Sequence, residues 1–245
     1  MSRYWLNPRI DDEEEHARQV AGLCDLYASA TTLRANGTRL ISCDEKTSIQ
    51  ALERAAPTRK LGVGKIESRE FEYKRHGTTC LIANFDVATG EVIAPSLGPT
   101  RDAADFALHI QRTVAFDTGA KWIFLLDNLT THMSEALVRF VAEDAKLDID
   151  LGVKGKKGIL RDVESRRAFL TDRSHRIAFA YTPKHCSWLN QVECWFSILV
   201  RRVLKRGSFV SVDALNEAIV RFIGYFNRLF AKPFKWTYTG RVLAA

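Results

Sequence analysis

Three acidic residues lie where the chain could build a site that needs negative charge. Asp127 follows the apolar run WIFLL, Asp44 follows a second apolar run in RLISCDE, and Glu193 lies in SWLNQVECWF, at the start of a helical pattern. A buried strand explains each apolar run, but a buried carboxylate is costly unless something compensates its charge. Each acid taken alone also fits a turn, a helix cap or a solvated helix face. The three together favour a shared site.

The helix that carries Glu193 has an apolar face with a polar stripe beside it. Its apolar residues recur at helical spacing and predict the face that packs on the core: Val192, Phe196, Leu199, Val200 and Val203. The stripe beside that face contains an amide, a carboxylate, a hydroxyl and a cation: Asn190, Glu193, Ser197 and Arg201. We therefore expect Glu193 to border the core and to point towards the ends of the strands.

The elements that must position these acids form an α/β pattern. Apolar periodicity and turn residues predict a first helix, three strands and then an alternation of helices and strands: helix Asp11–Tyr27, strands Arg39–Glu45, Thr78–Val87 and Glu91–Ser96, helix Asp102–Phe116, strand Lys121–Leu126, a helix capped by Ser134, strand Ile177–Tyr181, and helices beginning near Leu189 and Asp213. Such an order predicts a mixed five-stranded sheet flanked by helices. In sheets of this kind, sites gather at strand ends.

Charge and composition narrow the class of protein. The 245 residues carry a formal net charge of +7, and 46% of them are hydrophobic. No apolar stretch approaches the roughly 20 residues that span a bilayer, and the N-terminus has no apolar signal core, so we expect a cytoplasmic protein without a membrane partner. The five cysteines contain no C-x-x-C pair, which disfavours a disulfide framework or a zinc site.

Two basic clusters flank the candidate acidic site in sequence. Lys154, Lys156 and Lys157 lie in the glycine-rich stretch GVKGKKG, and Arg161 follows. A second cluster surrounds Arg201. Basic runs are often only solvated faces, but two of them beside an acidic site favour a polyanionic substrate.

Several long motifs resemble one family. The segments CDEKTSIQALER, YKRHGTTCLIANFDVATGEVI, LLDNLTTH and YTPKHCSWLNQVECWF, with the closing KPFKWTYTG, resemble the catalytic domain of DDE transposases of the mariner-like superfamily, in its bacterial insertion-sequence branch. The resemblance implies a ribonuclease-H-like fold over 39–245, a catalytic and metal-binding triad of Asp44, Asp127 and Glu193, and double-stranded DNA as the partner. It further implies a homodimer on DNA and a nucleoid-associated bacterial protein.

The chemistry of DNA transposition agrees with these residue types. Cleavage at a transposon end and transfer of the freed 3′-hydroxyl into target DNA are both phosphodiester displacements, which two Mg²⁺ ions can promote. Mg²⁺ prefers oxygen ligands, and the resemblance implies two such ions on the triad, with Mn²⁺ as a substitute. A ribonuclease-H-type nuclease or integrase relative remains an alternative, as does a silenced remnant that binds DNA without cutting it.

The resemblance also suggests secondary roles near the triad. Asn128 and His132 match a DN-x-x-x-H stretch and are expected to orient the metal site or a phosphate, with structural capping an equal alternative for His132. Asn190 is a further candidate for a secondary role at the site. Glu45 is left out, because neighbouring strand residues point to opposite faces. We expect the residues that contact DNA to be Trp188, Gln191, Arg201, Lys154, Lys156, Lys157 and Arg161.

Two departures from the family concern domain organisation. The stretch between Asp127 and Glu193 is longer than in much of the superfamily, and the surplus lies at about 151–176, a basic insertion that we expect to be flexible. Residues 1–38 read as a linker and one helix with an acidic start, in place of the helix-turn-helix region that reads the terminal repeat in this branch. We therefore expect weak DNA binding with little sequence preference.

Overall fold

The computed structural model describes residues 12–56, 62–66, 72–184 and 186–238. Within these ranges a five-stranded sheet has the order β3-β2-β1-β4-β5. Its strands are β1 (Thr38–Arg54), β2 (Tyr73–Asp86), β3 (Val92–Gly98), β4 (Lys121–Leu126) and β5 (Ile177–Tyr181). The β1–β2 and β2–β3 pairs are antiparallel, whereas β1–β4 and β4–β5 are parallel. The mixed sheet expected from the sequence is therefore confirmed.

Seven α-helices lie in the described part of the chain and cover both faces of the sheet. They are α1 (Glu13–Ala28), α2 (Ala30–Ala35), α3 (Ala103–Ala115), α4 (Glu135–Asp144), α5 (Val163–Leu170), α6 (Gln191–Leu199) and α7 (Val212–Leu229). A π-helical turn, Val200–Leu204, extends α6. None of the described helices is long and apolar enough to cross a membrane.

Alternation along the strands decides which helices each residue meets. Ile41 of β1 packs with α3, α4 and α5 on one face, whereas its neighbour Leu40 packs with α1 on the other. In β4, Phe124 belongs to the first face and Leu125 to the second. Because side chains alternate with a period of two, Asp44 shares the face of Leu40, and Glu45 shares the face of Ile41.

The bounds of several elements differ from those expected. The strands Lys121–Leu126 and Ile177–Tyr181 are confirmed, as is the helix capped by Ser134. β1, however, continues nine residues beyond Glu45 to Arg54, through a register shift where Ser48 has a φ of 54°. Asp44 therefore lies inside a strand, because the ladder with β2 continues past it.

The N-cap of the first helix lies one residue after Asp11, where the sequence predicts the start of that helix. Asp12, whose side chain accepts a hydrogen bond from the Glu15 amide at 2.9 Å, is the N-cap of α1. Asp11, the cap suggested by the sequence, lies outside the described residues. The apolar side of α1 (Val20, Leu23, Cys24 and Tyr27) packs on β1 and β4, so α1 is part of the core layer.

Candidate active site

Asp44 lies at the centre of the sheet and is almost fully buried. Its residue is 7% exposed, and one carboxylate oxygen accepts a hydrogen bond from the Nδ2 of Asn190 at 3.3 Å. Burial raises the pKa of Asp44, and the negative charges of Asp127, Glu45 and Glu193 raise it further, to about 7, against an opposing hydrogen bond from the Glu45 amide. Asp44 is thus close enough to Asp127 and Glu193 to be affected by their negative charges.

Asp127 follows β4 and is held by a hydrogen-bond network. Its Oδ1 accepts from the Leu129 amide at 2.9 Å and lies 2.9 Å from the Nδ1 of His132. Burial would raise the pKa of Asp127, but the bonds from His132 and Leu129 lower it. The side chain remains 31% exposed, so Asp127 is ionised and still reachable from solvent.

Glu45 contacts the other ring nitrogen of His132. Both of its carboxylate oxygens lie 3.1 Å from the Nε2 of His132, and its side chain is 1% exposed. Burial alone would lower the pKa of His132, but hydrogen bonds to Asp127 and Glu45 raise it to about 9, so both ring nitrogens donate at neutral pH. The sequence left Glu45 out of the site, but the structure links Glu45 to Asp127 through His132. Glu45 does point to the opposite face from Asp44, but His132 extends from that face to the end of β4.

Glu193 is exposed in the first turn of α6, which docks on β1 beside Asp44. The Val192 amide donates to the Oγ of Ser42 at 2.8 Å, and Ser42 also pairs with the side-chain oxygen of Asn190. The Nδ2 of Asn190 donates to the carbonyl of Cys43 at 2.9 Å. Asn190 thus links α6 to the strand that carries Asp44, which sets the position of Glu193 relative to that strand.

Tyr27 of α1 supports the same junction, although nothing in its local sequence pattern indicates this contact. Its hydroxyl donates to the carbonyl of Leu189 at 2.8 Å and accepts from the Gln191 amide at 3.2 Å. Both groups belong to the turn that leads into α6, where backbone groups lack helical partners. A buried tyrosine at helical spacing in the first helix was the signal available, but its partner is 162 residues away in sequence.

Asn128 connects the ends of β4 and β5 and does not face the acids. Its side-chain amide donates to the carbonyl of Thr182, and its Oδ1 accepts from Arg167 of α5 at 2.8 Å. The Arg167 guanidinium also lies over the ring of Tyr181, 4.9 Å from its centroid. These contacts favour the orienting role expected for Asn128 over direct contact with a phosphate.

The candidates for DNA contact around α6 differ in exposure. Trp188 is 55% exposed and meets Tyr238 edge to face, and Arg201 is exposed on the side of α6 that carries Glu193. Gln191, in contrast, is 1% exposed. The expectation that Gln191 contacts DNA is therefore wrong for this structure. Its side chain is buried at the start of α6, and its backbone amide donates to the Tyr27 hydroxyl at 3.2 Å.

The basic segment at 151–176 is folded, contrary to the flexibility expected for it. It contains α5, and Leu160 and Leu170 are fully buried. Arg166, which is 7% exposed, donates to the carbonyls of Met133 at 2.6 Å and Leu160 at 3.0 Å. Gly152 packs so closely on the Lys157 backbone that a Cβ atom would overlap it. The glycines therefore allow a tight turn.

The four basic residues of this segment that are expected to contact DNA fall into two groups. Lys154 and Lys156 are exposed, and neither forms an ion pair with the described carboxylates. Lys157 pairs with Asp150 at 3.2 Å and Arg161 pairs with Asp162 at 2.7 Å. Exposed ion pairs are weak, so the second group could exchange its partners for phosphates at little cost.

The donor set fits a hard divalent cation, although three ligands are not assembled around one point. Among the described residues, no three His, Cys, Asp or Glu side chains are arranged to hold a metal ion together. Mg²⁺, however, is usually bound through one or two carboxylates, with water and substrate phosphate completing its shell. Asp44, Asp127 and Glu193 supply oxygen donors, and Asp44 lies among like charges that a cation would offset.

Comparisons with known proteins agree with this fold. Residues 39–216 match the family model of the DDE superfamily endonucleases, and no curated protein sequence matches the chain. The structure resembles the Mos1 mariner paired end complex with Mn at a TM-score of 0.53 and 14% identity, over 92% of this chain and 60% of that one. It also resembles the catalytic domain of Mos1 mariner transposase at a TM-score of 0.51 and 14% identity, over 90% and 85% of the two chains.

These likenesses concern the fold, and the chain spans 60% of the length of the first of these relatives. The ribonuclease-H-like fold expected from the motifs is confirmed by the match to the Mos1 catalytic domain. The family match covers nearly three quarters of the chain, includes Asp44, Asp127 and Glu193, and implies the use of a divalent metal. The chain therefore belongs to the DDE superfamily of endonucleases.

Proposed function

We propose that this chain is the catalytic part of a transposase, which cleaves DNA at transposon ends and transfers the freed 3′-hydroxyl into target DNA. The observation that carries the proposal is the match to the DDE endonuclease family, over a stretch in which Asp44 of β1 lies within electrostatic range of Asp127 and Glu193. Structures of Mos1 transposase with the same fold support it. The bacterial insertion-sequence branch rests on the sequence motifs alone.

Asp44, Asp127 and Glu193 are the residues that would hold two Mg²⁺ ions, with Mn²⁺ as a substitute. Bound ions of this kind activate the attacking oxygen and stabilise the leaving 3′-oxygen of a phosphodiester. Support comes from the Mos1 catalytic domain, which has been crystallised with Mg and with Mn. Asp44 would help to hold the cations, because its buried carboxylate lies among like charges that a cation would offset.

The remaining residues of the site position these acids. His132 donates to Asp127 and holds its carboxylate at the end of β4, while Glu45 fixes the ring from the opposite side. Asn190 orients the carboxylate of Asp44 and anchors the turn before Glu193. Such groups hold the acids in place before substrate arrives, which reduces reorganisation during the reaction.

DNA would be held by the exposed side chains around this site. Trp188 and Arg201 flank the acids along α6, and Lys154, Lys156, Lys157 and Arg161 add positive charge from the 151–176 segment. Because two transposon ends must be brought together, we infer that two copies act on one DNA assembly. Mos1 has been described in a paired end complex, which supports this inference.

A cleavage assay on transposon-end DNA tests the function directly. The wild-type chain should nick the end in Mg²⁺ or Mn²⁺ and be inactive in EDTA. Asp44→Asn, Asp127→Asn and Glu193→Gln should each abolish cleavage, because they keep side-chain volume but weaken cation binding. Glu143→Gln, an exposed position on α4, is the matched control and should cleave normally. Retained cleavage in a folded Glu193→Gln protein would show that another acid completes the site.

A further inference from the structure

A cleft beside the end of α6 has no assigned role. It has a volume of about 540 Å³ and lies between the α6 extension, α7 and the C-terminal segment. Phe226 and Phe234 contribute to its apolar lining, and arginines from the π-helical turn and beyond form one rim. We call it the aromatic cleft.

Two aromatic rings of the aromatic cleft are open to solvent. Tyr225 and Phe230 are 46% and 51% exposed, with ring centroids 5.5 Å apart. Large apolar side chains that remain exposed together commonly mark a binding surface. The flat faces of such rings are suited to stacking against other π systems.

The rim of the aromatic cleft is cationic and is not neutralised. Arg201, Arg202, Arg206 and Lys232 are exposed and line the cleft. None of them forms an ion pair with any carboxylate in the part of the chain that the structure describes. Four uncompensated cations around aromatic faces favour an anionic ligand that also has flat rings.

The aromatic cleft is formed before any ligand binds. Phe234 stacks on Phe85 of β2 with centroids 4.6 Å apart and an interplanar angle of 14°. The Lys232 backbone lies directly against Gly90, whose φ of 76° and missing Cβ permit the approach. The C-terminal wall is therefore fixed to the sheet, so little ordering cost accompanies binding.

The position of the aromatic cleft relates it to the acids. Glu193, Ser197 and Arg201 are exposed on one side of α6 at four-residue spacing, and Arg201 belongs to the cleft. Eight residues of helix rise about 12 Å, which corresponds to three or four stacked nucleotides at 3.4 Å each. A DNA strand that passes the candidate active site along α6 reaches the cleft within a few nucleotides.

We propose that the aromatic cleft binds unpaired DNA next to the cleavage point, with bases stacked on Tyr225 and Phe230 and phosphates on the arginine rim. This inference rests on the proposed function for the location of the DNA. An acidic peptide would also satisfy the charges, but the continuous stripe from Glu193 favours a DNA strand. Unstacked bases expose the flat faces that the rings can cover, and stacking of this kind is tolerant of sequence.

Binding of DNA with a short single-stranded extension tests the inference. The probe is a duplex whose extension carries the fluorescent base 2-aminopurine, compared with a blunt duplex of equal charge, both in EDTA to prevent cleavage. We expect the extended DNA to bind about tenfold more tightly, and the 2-aminopurine emission to fall, because a base stacked on an aromatic side chain contributes strongly to affinity.

Variants separate stacking from general attraction. Tyr225→Ala with Phe230→Ala should remove both the preference and the quenching while leaving blunt-duplex binding unchanged. Tyr225→Phe, which keeps the ring, should behave as wild type, as should Phe116→Ala, an exposed ring on the far side of the sheet that is 63% exposed. Arg202→Gln with Arg206→Gln should flatten the log–log salt dependence for extended DNA by about 1.4.

Three results would overturn the inference. These are equal binding of extended and blunt DNA by the wild type, an unchanged preference in the double alanine variant, and a double variant that alters only the monomer–dimer equilibrium in sedimentation. The last result would assign the aromatic cleft to a second copy of the chain. Cleavage of fully paired transposon ends by the same preparations shows separately whether the proposed function holds.

Discussion

Asp44 is a buried carboxylate whose ionised form destabilises the free protein. Its pKa is raised to about 7 from the ordinary 3.8, first by burial and then by the neighbouring acids. For an acid with a raised folded pKa, the folded state is favoured most below pH 3.8, and that contribution is lost as pH rises through 7. Activity and stability are thus opposed at this residue, because cation binding needs the ionised form.

Asp44→Asn should therefore stabilise the metal-free protein at pH 8. One pKa unit corresponds to about 1.4 kcal/mol, so removal of the buried charge should raise the free energy of unfolding by about 2–4 kcal/mol. Urea unfolding in EDTA measures this, with little difference expected at pH 4, where Asp44 is protonated. Added Mg²⁺ should reduce the gap at pH 8, because it binds the folded wild type. Equal unfolding midpoints at pH 8 would contradict the raised pKa.

Glu45 acts on the site through His132 and is a positioning residue. Glu45→Gln removes the charge that holds the ring, so His132 should hold Asp127 less firmly. Loss of a partner behind a metal ligand typically costs about 10- to 100-fold in metal affinity or activity. We expect the Mg²⁺ concentration for half-maximal cleavage to rise by about tenfold or more.

A matched pair elsewhere in the chain provides the control for this prediction. Glu53 contacts His76 at 2.6 Å on the extension of β1 and β2, and Glu53→Gln should leave the Mg²⁺ dependence unchanged. A general effect of carboxylate loss would shift both variants alike. An unaltered Mg²⁺ dependence in Glu45→Gln would show that Glu45 contributes only to packing and does not position the metal site.

Among the elements, α1 and α6 are coupled through one hydroxyl. Tyr27→Phe leaves the Leu189 carbonyl and the Gln191 amide buried without their partner, which typically costs about 1–3 kcal/mol. Because these groups lie in the turn before Glu193, cleavage should fall as well as stability. Thermal unfolding and the cleavage assay measure the two effects, with Tyr73→Phe, an exposed tyrosine on β2, as control. Loss of stability with full activity would show that the Tyr27 contact stabilises the fold without affecting catalysis.

The 151–176 segment is folded and presents two exposed lysines that pair with no carboxylate in the described part of the chain. Each phosphate contact contributes about 0.9 to the log–log slope of DNA affinity against salt. Lys154→Ala with Lys156→Ala should flatten that slope by about two, and further replacement of Lys157 and Arg161 should add less, since both already have acidic partners. Lys121→Ala, at the opposite end of β4 from Asp127, should leave the slope unchanged. A slope unaffected by the lysine pair would show that the segment does not contact DNA.

At the scale of the whole molecule, α1, the first helix of the described chain, packs into the core. The apolar face of α1 packs on the sheet, and its exposed start carries Glu13, Glu14 and Glu15. An acidic helix end repels a phosphate backbone, so α1 is poorly suited to enter a DNA groove. We therefore expect this chain to bind DNA through phosphates with little sequence preference.

Competition binding measures that preference, with the terminal repeat of the element against scrambled DNA of equal length at fixed salt. We expect a ratio well below about a hundredfold, since specific binding exceeds nonspecific binding by about a thousandfold or more. An affinity ratio above a hundredfold would mean that these 245 residues contain a surface that recognises DNA sequence.

The sequence by itself determined the order of the five strands, and it singled out three acids as the candidate site. β4 and β5 were predicted with their observed bounds, because short apolar runs between turn residues allow few alternatives. Asp44, Asp127 and Glu193 could be singled out because each interrupts such a pattern or stands beside it. The motifs then indicated the family to which the chain belongs.

Only the tertiary structure decided how those residues are supported. Glu45 and His132 are 87 residues apart in sequence, and Tyr27 is 162 residues from the carbonyl that it binds. Local periodicity places a residue on a face, but it does not state what packs against that face. For this reason the sequence pattern predicted that Gln191 contacts DNA and that Glu45 lies outside the site. Their contacts depend on how α1, α6 and the end of β4 meet across the sheet, which is a property of packing between distant segments.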